Sequence, residues 1–262
     1  MSSKKILGVI PARLNSTRLP GKALREIAGK PMIHWVYQNA KRSTVLSDLV
    51  VATDSPEIQA SCESAGIPVF LTGEHPSGGD RLHEVLTKTD ADIYVNIQGD
   101  EPTLKPEHIE LLLKPLIEIP DARVSTLKVR IDAEAAADPN NVKVVTTLDG
   151  RALYFSRHAI PFDRDGGQTH PASSLGTPPE TGRAGEVGPA YYKHIGLYAY
   201  TRNALSLFHK LPQSSLELSE KLEQLRYLEN GVDIWVAETE YDTVGVDTEA
   251  DLQRVIALFA EK

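Results

Sequence analysis

The chain has one cysteine, Cys62, among its 262 residues. That excludes an internal disulfide and a cysteine metal cluster, and it fits a reducing compartment. The eight histidines are scattered, with no H-x-H or H-E-x-x-H spacing to place two on one face, so there is no zinc signature. No apolar stretch approaches the roughly 20 residues that a membrane span needs. The opening MSSKK leads straight into ILGVIPA, which is too short for the apolar region of a secretory signal. A soluble, cytoplasmic protein with no membrane partner is expected. Cations are in deficit too: 28 Lys and Arg stand against 36 Asp and Glu, a formal net charge of -8. Such a balance argues against a nucleic-acid partner, whose phosphates would have to be offset by basic side chains.

A hydrophobic share of 41% over this length is enough for one large α/β domain, or one domain carrying a smaller appendage. Apolar runs of strand length alternate with segments of helical period: KKILGVIPA, PMIHWVYQNAKRS, DLVVATD, SPEIQASCESAG, IPVFLTG, DRLHEVLTK, DIYVNIQGD and PEHIELLLKPL. This alternation predicts a mostly parallel, doubly wound sheet over the first 120 residues, with helices on both faces. Ser55 before Pro56 reads as a helix start, and Thr248 with Asp251 reads as a capping-box-like start. Beyond VSTLKVRI the chain turns β-rich in NVKVVTTLDG, RALYFSR and KHIGLYAYT, which predicts hairpins added to the sheet or a small subdomain. Residues 165–189 are rich in Gly, Pro, Ser and Thr and predict a mobile loop. SSLELSEKLEQLRYLENG reads as a helix, DIWVAETE as a strand and TEADLQRVIALFAEK as a last helix.

Against the overall shortage of cations, RLNSTRLPGKALR carries Arg13, Arg18, Lys22 and Arg25 with no acid. It occupies the first strand-to-helix turn, the usual phosphate site of an open α/β sheet. Arg13 and Lys22 supply full charges to a polyphosphate, and backbone N–H groups of the Pro20-Gly21 bend are expected to form an anion-binding nest. The competing reading is a solvated basic loop. The window STRLPGKA fails as a P-loop, because Ser16 replaces the first glycine and Ala23 the magnesium-binding hydroxyl residue. Carboxylates for a magnesium ion must then come from elsewhere. IYVNIQGDEP ends a buried strand, where Gly99 is expected to allow a sharp turn and Asp100 to project at the carboxyl edge. YDTVGVDT places Asp247 ahead of the last helix. One or two carboxylates, with phosphates and water, suffice for magnesium, although an Asp at that position also reads as a helix cap.

Taken together, VIPARLNSTRLPGKAL, VATD, VNIQGDEP, ALYFSR, KHIGLYAY, SEKLEQLR and GVDT resemble, in order and over nearly the whole chain, the 3-deoxy-manno-octulosonate (Kdo) cytidylyltransferases, or CMP-Kdo synthetases. The resemblance implies a nucleotide-diphospho-sugar transferase-like sheet with a smaller β-rich subdomain, forming one domain over 1–262. Its nucleotide-binding half would be 1–120, and its sugar-binding and dimerisation half 121–262. The implied reaction is transfer of a cytidylyl group from CTP to the anomeric hydroxyl of Kdo, with Mg2+, by a homodimer that serves lipopolysaccharide synthesis.

Residue by residue, Arg13, Ser16 and Lys22 match the family's triphosphate loop, and Asp100 and Asp247 its magnesium ligands. Lys22, Asp100 and Asp247 would carry catalysis. Ser77 and Arg81 fall on a second nucleotide-binding segment. Gln98, Arg157, His194, Tyr198, Glu223 and Gln224 match positions that line the family's sugar-acid pocket. Without the resemblance, His194 and Tyr198 read as a packed strand, and Glu223 and Gln224 as an exposed helix face. One departure stands out: the family's S-G-T-[ED]-R-L is here SGGDRL, with Gly79 for threonine. The lost hydroxyl and β-branch are expected to loosen the turn beside the cytosine and ribose, or to drop a hydrogen bond there. Rival readings are the same chemistry on 8-amino-Kdo or another sugar acid, a metal-dependent glycosyltransferase, and a catalytically silent binding protein.

Overall fold

Strand β1 (Ile6–Pro11) is apolar on both sides because both are covered: Ile6 and Ile10 pack into one core, Leu7 and Val9 into another. A parallel strand between two helix layers needs no polar face. In the computed structural model, which describes residues 4–16, 18–75, 77–164 and 190–260, β1 feeds the basic loop and a 3-10 turn at Lys22–Leu24. A small ladder of β2 (Glu26–Ile27) and β3 (Lys30–Pro31) follows, then helix α1 (Met32–Lys41). β4 (Asp48–Thr53), α2 (Pro56–Ser64), β5 (Val69–Leu71), α3 (Gly78–Lys88), β6 (Ile93–Asn96) and α4 (Pro106–Glu118) complete the first half. As expected, Pro56 opens α2 and the Ser55 hydroxyl accepts the Ile58 N–H. Helices α1, α2 and α4 cover one face of the sheet, and α3 covers the other.

The second half comprises β7 (Val124–Ile131), α5 (Ala133–Ala137), β8 (Lys143–Thr146), β9 (Ala152–Ser156), β10 (Tyr191–Thr201), α6 (Arg202–Phe208), α7 (Ser215–Glu220), α8 (Leu225–Glu229), β11 (Ile234–Thr239) and α9 (Glu249–Ala260). The sheet order is β11-β7-β10-β6-β1-β4-β5, with β8 and β9 attached through β10. β1, β4, β5, β6, β7, β8 and β11 run one way, and β9 and β10 the other. This is the mostly parallel α/β sheet that the alternation predicted. Of the two placements open to the β-rich pieces, addition to the sheet is the one adopted. β10 enters between β6 and β7, and the β8–β9 hairpin hangs from it over a smaller core of Val144, Phe155, Leu225 and Tyr227. The expected mobile loop at 165–189 lies outside the described residues.

One expected helix is two. SSLELSEKLEQLRYLENG breaks at Lys221, which sits in the left-handed region at φ 56° and ends α7. The capping box of Ser214 and Glu217 starts α7. Glu217 then receives the Arg226 guanidinium at 2.7 and 2.5 Å, so a charge-assisted pair folds α8 back onto α7. Glu223 and Gln224 lie in the break rather than on one continuous helix face.

Candidate active site

The basic loop is drawn towards the last helix by an apolar contact. Leu19 is buried with Ile27, Met32, Val246, Leu252 and Val255, which places the residue after Val246 beside the loop. The Val246 N–H donates to the Asp100 carbonyl at 2.9 Å, tying the same segment to the end of β6. Gly99 is needed here for closeness rather than for an unusual turn: a Cβ on it would lie 2.8 Å from the Pro11 carbonyl oxygen. The exits of the neighbouring parallel strands β1 and β6 therefore press backbone on backbone. Asp100 projects from that junction, at the carboxyl edge expected of it.

Four charges from three distant segments meet as a result. Lys22 Nζ is 2.5 Å from Asp100 Oδ2 and 3.1 Å from Asp247 Oδ1, and Arg18 reaches Asp247 Oδ1 at 3.0 Å. Burial alone would pull the Lys22 pKa down, but the two carboxylates more than offset it, and the pKa is raised. Asp247 is free for this contact because Thr248 does the capping. The Thr248 hydroxyl donates to Asp251 Oδ2 at 2.8 Å and accepts the Asp251 N–H, the reciprocal start anticipated from the sequence. Two carboxylates from separate loops converging on one ammonium form a donor set that also suits a hard divalent cation, which takes carboxylate oxygens and leaves its other positions to phosphate and water. Glu101, next in sequence, is buried. Burial first, and the charge of Asp100 second, push its carboxyl up to about 8.

A cleft of about 340 Å3 opens over this cluster, lined by Pro11, Arg13, Ser16, Lys22, Ser77, Arg81, Gln98 and Asp247 among others. Arg13 is exposed on its wall. The Ser16 hydroxyl accepts the Leu19 N–H at 3.4 Å. The Gly21 N–H is not offered to an anion, since it donates to the Leu14 carbonyl at 3.2 Å. Gly21 contributes its φ of +65° instead, closing the loop onto the 3-10 turn that carries Lys22. The N-terminus of α3 faces the cleft, a favourable end for phosphate. There the Ser77 hydroxyl accepts the Asp80 N–H and donates to Asp80 Oδ2 at 2.8 Å. Arg81 is 3% exposed and is engaged by Asp54 at 3.0 Å, by the Thr72 hydroxyl and by the Gly73 carbonyl. Its bonds brace the cleft wall.

Of the residues matched to a sugar-acid pocket, His194 and Tyr198 lie on β10, Glu223 and Gln224 in the α7–α8 break, Gln98 after β6 and Arg157 after β9. Gln98 Nε2 donates to the Gly196 carbonyl at 3.1 Å, within the bulge where the β10–β7 register shifts between Ile195 and Tyr198. Bulges re-aim side chains beside functional sites. The His194 imidazole stands between the rings of Phe155 and Tyr198, with Nε2 2.9 Å from the Thr126 hydroxyl. Burial of the ring, reinforced by Lys193, pushes its pKa down to about 3. The Tyr198 phenol is buried, and burial raises its pKa far above the usual range. The Gln224 amide nitrogen is buried with no hydrogen-bond partner among the described residues, a feature that native proteins show where a ligand or water completes the bonding. Arg157 Nε donates to the Glu220 carbonyl at 2.9 Å and its NH1 to that of Pro139 at 3.2 Å. Of the six matched residues, Gln98 lines the nucleotide cleft, and Arg157, His194, Tyr198, Glu223 and Gln224 do not. Sequence reasoning gave Arg18 no role of its own and did not single out Leu19. The first was visible as a member of the basic run, but the second carried no signal of its contact with α9.

A sequence model of the family described as Cytidylyltransferase matches residues 7–234. The chain is 52% identical to the 3-deoxy-manno-octulosonate cytidylyltransferase of Koribacter versatilis, over 96% of this chain and 88% of that protein. It is 51% identical to the enzyme of the same name from Acidobacterium capsulatum, over 100% and 99%. A solved CMP:2-keto-3-deoxy-manno-octonic acid synthetase complexed with CTP superposes with a TM-score of 0.88 at 41% identity, covering 98% of this chain and 99% of that one. With a family model spanning most of its length and relatives above half identity end to end, this chain belongs to the cytidylyltransferases and, among them, to the 3-deoxy-manno-octulosonate cytidylyltransferase family.

Proposed function

We infer that the cleft transfers the cytidylyl group of CTP to the anomeric hydroxyl of Kdo, releasing pyrophosphate. The observation that carries the reading is the convergence of Asp100 and Asp247 on the Lys22 ammonium, at the carboxyl edge of β1 and β6 and beside the N-terminus of α3. Attack at the α-phosphorus builds charge on the departing pyrophosphate, so catalysis is mainly positioning and electrostatics. Arg13 and Lys22 offset that charge from the basic loop. Ser16 and Ser77, which both line the cleft, contact the nucleotide, and the Arg81 ion pair keeps the start of α3 in place. Asp100 and Asp247 would hold Mg2+, which supplies Lewis-acid charge to phosphoryl oxygens when bound. Gln98, His194, Tyr198, Glu223 and Gln224 orient the sugar acid. His194, with its pKa near 3, serves as a neutral hydrogen-bonding ring rather than as a cation. Arg157 joins them from the end of β9.

In this reading residues 1–120 hold the nucleotide and 121–262 the acceptor, and the product serves lipopolysaccharide synthesis in the cytoplasm. No described helix is long and apolar enough to cross a membrane. The exposed Leu148, Leu153 and Phe162 around the β8–β9 hairpin support a homodimer, which sedimentation equilibrium would test. The test of function is pyrophosphate release with CTP, Mg2+ and Kdo against mixtures lacking each component, with 8-amino-Kdo and a sialic acid as alternative acceptors. Release only in the complete Kdo mixture is expected. Equal release without an acceptor would overturn the assignment.

A further inference from the structure

Lys143 opens β8, paired with Ser156 of β9 on one side and with Lys193 of β10 on the other. It is 0% exposed, and an ammonium so placed costs free energy that an apolar side chain of the same length would not. Its three N–H donors all go to backbone carbonyls, those of Asp138 at 2.9 Å, Asn141 at 2.5 Å and Arg157 at 2.6 Å. The first two bracket Pro139, whose own carbonyl accepts Arg157 NH1 at 3.2 Å. One ammonium thus closes a ring: it holds the backbone of Arg157 and also the 138–141 turn on which the Arg157 guanidinium rests. That turn is a wall as well. Asp138, Asn140 and Asn141 line a cavity of about 680 Å3 together with Glu101 and His194, and this cavity shares Arg18 and Asp247 with the nucleotide cleft. The His194 N–H donates to the Val142 carbonyl at 2.7 Å, one residue before Lys143.

We propose that Lys143 is a positioning residue for the acceptor: by gathering the carbonyls of Asp138, Asn141 and Arg157 it fixes the Arg157 guanidinium against the turn that walls the cavity beside the nucleotide cleft. The inference rests on the reading that Arg157 and His194 orient the sugar acid. A guanidinium recognises a carboxylate as a planar, two-pronged donor, so its use depends on the plane being set before the acceptor arrives. An arginine side chain left to itself samples many rotamers. The carbonyls of Pro139 and Glu220 hold it only as firmly as they are held themselves, and Lys143 joins the Pro139 turn to the strand end that carries Arg157. Being buried, Lys143 meets no substrate. The residues read as nucleotide contacts, Arg13, Ser16, Lys22 and Ser77, lie on other elements and take no part in this ring.

The test is steady-state kinetics of Lys143→Met, Arg157→Ala and the double variant, with Kdo and CTP varied in turn and thermal midpoints measured alongside. Lys143→Met should raise the KM for Kdo about fivefold or more and leave the KM for CTP within about twofold. Added to Arg157→Ala, it should raise the Kdo KM no further, because Lys143 acts through that guanidinium. A lower thermal midpoint with both KM values kept, or effects on the Kdo KM that multiply, would overturn the proposal and leave Lys143 a structural group. Should Lys143→Met not fold, Pro139→Gly decides instead, since Pro139 is exposed and its replacement loosens the same turn without touching the ammonium. That variant should raise the Kdo KM in the same selective way, and an unchanged value would sink the idea. If Arg157→Ala leaves the Kdo KM unaltered, the reading of Arg157 as an acceptor contact fails first, and the role of Lys143 falls with it.

Discussion

Lys22 Nζ stands 2.5 Å from Asp100 Oδ2 across a sequence separation of 78 residues, and the same ammonium contacts Asp247. If Asp100 carries charge essential to the transition state, Asp100→Asn should lower kcat by about a hundredfold or more, roughly 3 kcal/mol. Circular dichroism should be unchanged. Near-normal turnover would remove Asp100 from the mechanism.

Lys22 is held by both carboxylates yet belongs to the cation-rich loop, so its replacement separates docking from chemistry. Lys22→Ala should lower kcat as well as CTP affinity, because charge accumulates on the leaving pyrophosphate. A change confined to the KM for CTP would make Lys22 a docking contact.

Arg81 offers a contrasting case. The guanidinium is 3% exposed, so its loss unmakes the bonds to the Thr72 hydroxyl, the Gly73 carbonyl and Asp54, whose carboxylate is itself 25% exposed. Arg81→Ala should cost about 1–3 kcal/mol of stability, seen as a fall in the denaturant midpoint. Full stability with a raised CTP KM would assign Arg81 to the nucleotide directly.

Gly99→Ala places a methyl 2.8 Å from a backbone oxygen that has nowhere to go. Overpacking of this kind costs roughly 1–3 kcal/mol, and here it also spreads the strand exits that bear Asp100. Calorimetry should show a lower Tm together with reduced kcat. An unchanged Tm would mean that the β1–β6 junction yields freely.

His194 sets part of the acid sensitivity. Its ordinary value is 6.5 and its folded value about 3, so below about 6.5 the unfolded chain takes up a proton that the folded chain refuses. Stability should therefore fall as pH drops from 6.5 towards 3, by at most about 1.4 kcal/mol per pH unit from this group. His194→Gln should flatten that limb in denaturation curves taken at several pH values. An unaltered slope would place the acid sensitivity elsewhere.

The strands and helices of the first half were legible because both-face burial writes itself as unbroken apolar runs such as ILGVIP and VVAT, separated by capping chemistry like Ser55-Pro56. The basic loop and the two aspartates were legible as charges out of keeping with their surroundings. The break in SSLELSEKLEQLRYLENG was not, because every residue in it tolerates a helix and the ion pair of Glu217 with Arg226 decides the bend. That the Gly21 N–H of the expected Pro20-Gly21 nest is taken was hidden for a similar reason: whether an N–H is free depends on which carbonyl folds back to it, and here that of Leu14 does.

By itself, the sequence determined the parallel sheet, the place of the cation-rich turn after β1, and the family, since local periodicity and motif order are written along the chain. Tertiary structure decided the insertion of β10 between β6 and β7, the approach of Asp247 to Lys22 through the packing of Leu19 against Val246, and the bend at Lys221 that folds α8 back onto α7. Each of these depends on which distant surfaces exclude water together, and a one-dimensional pattern carries no record of that choice.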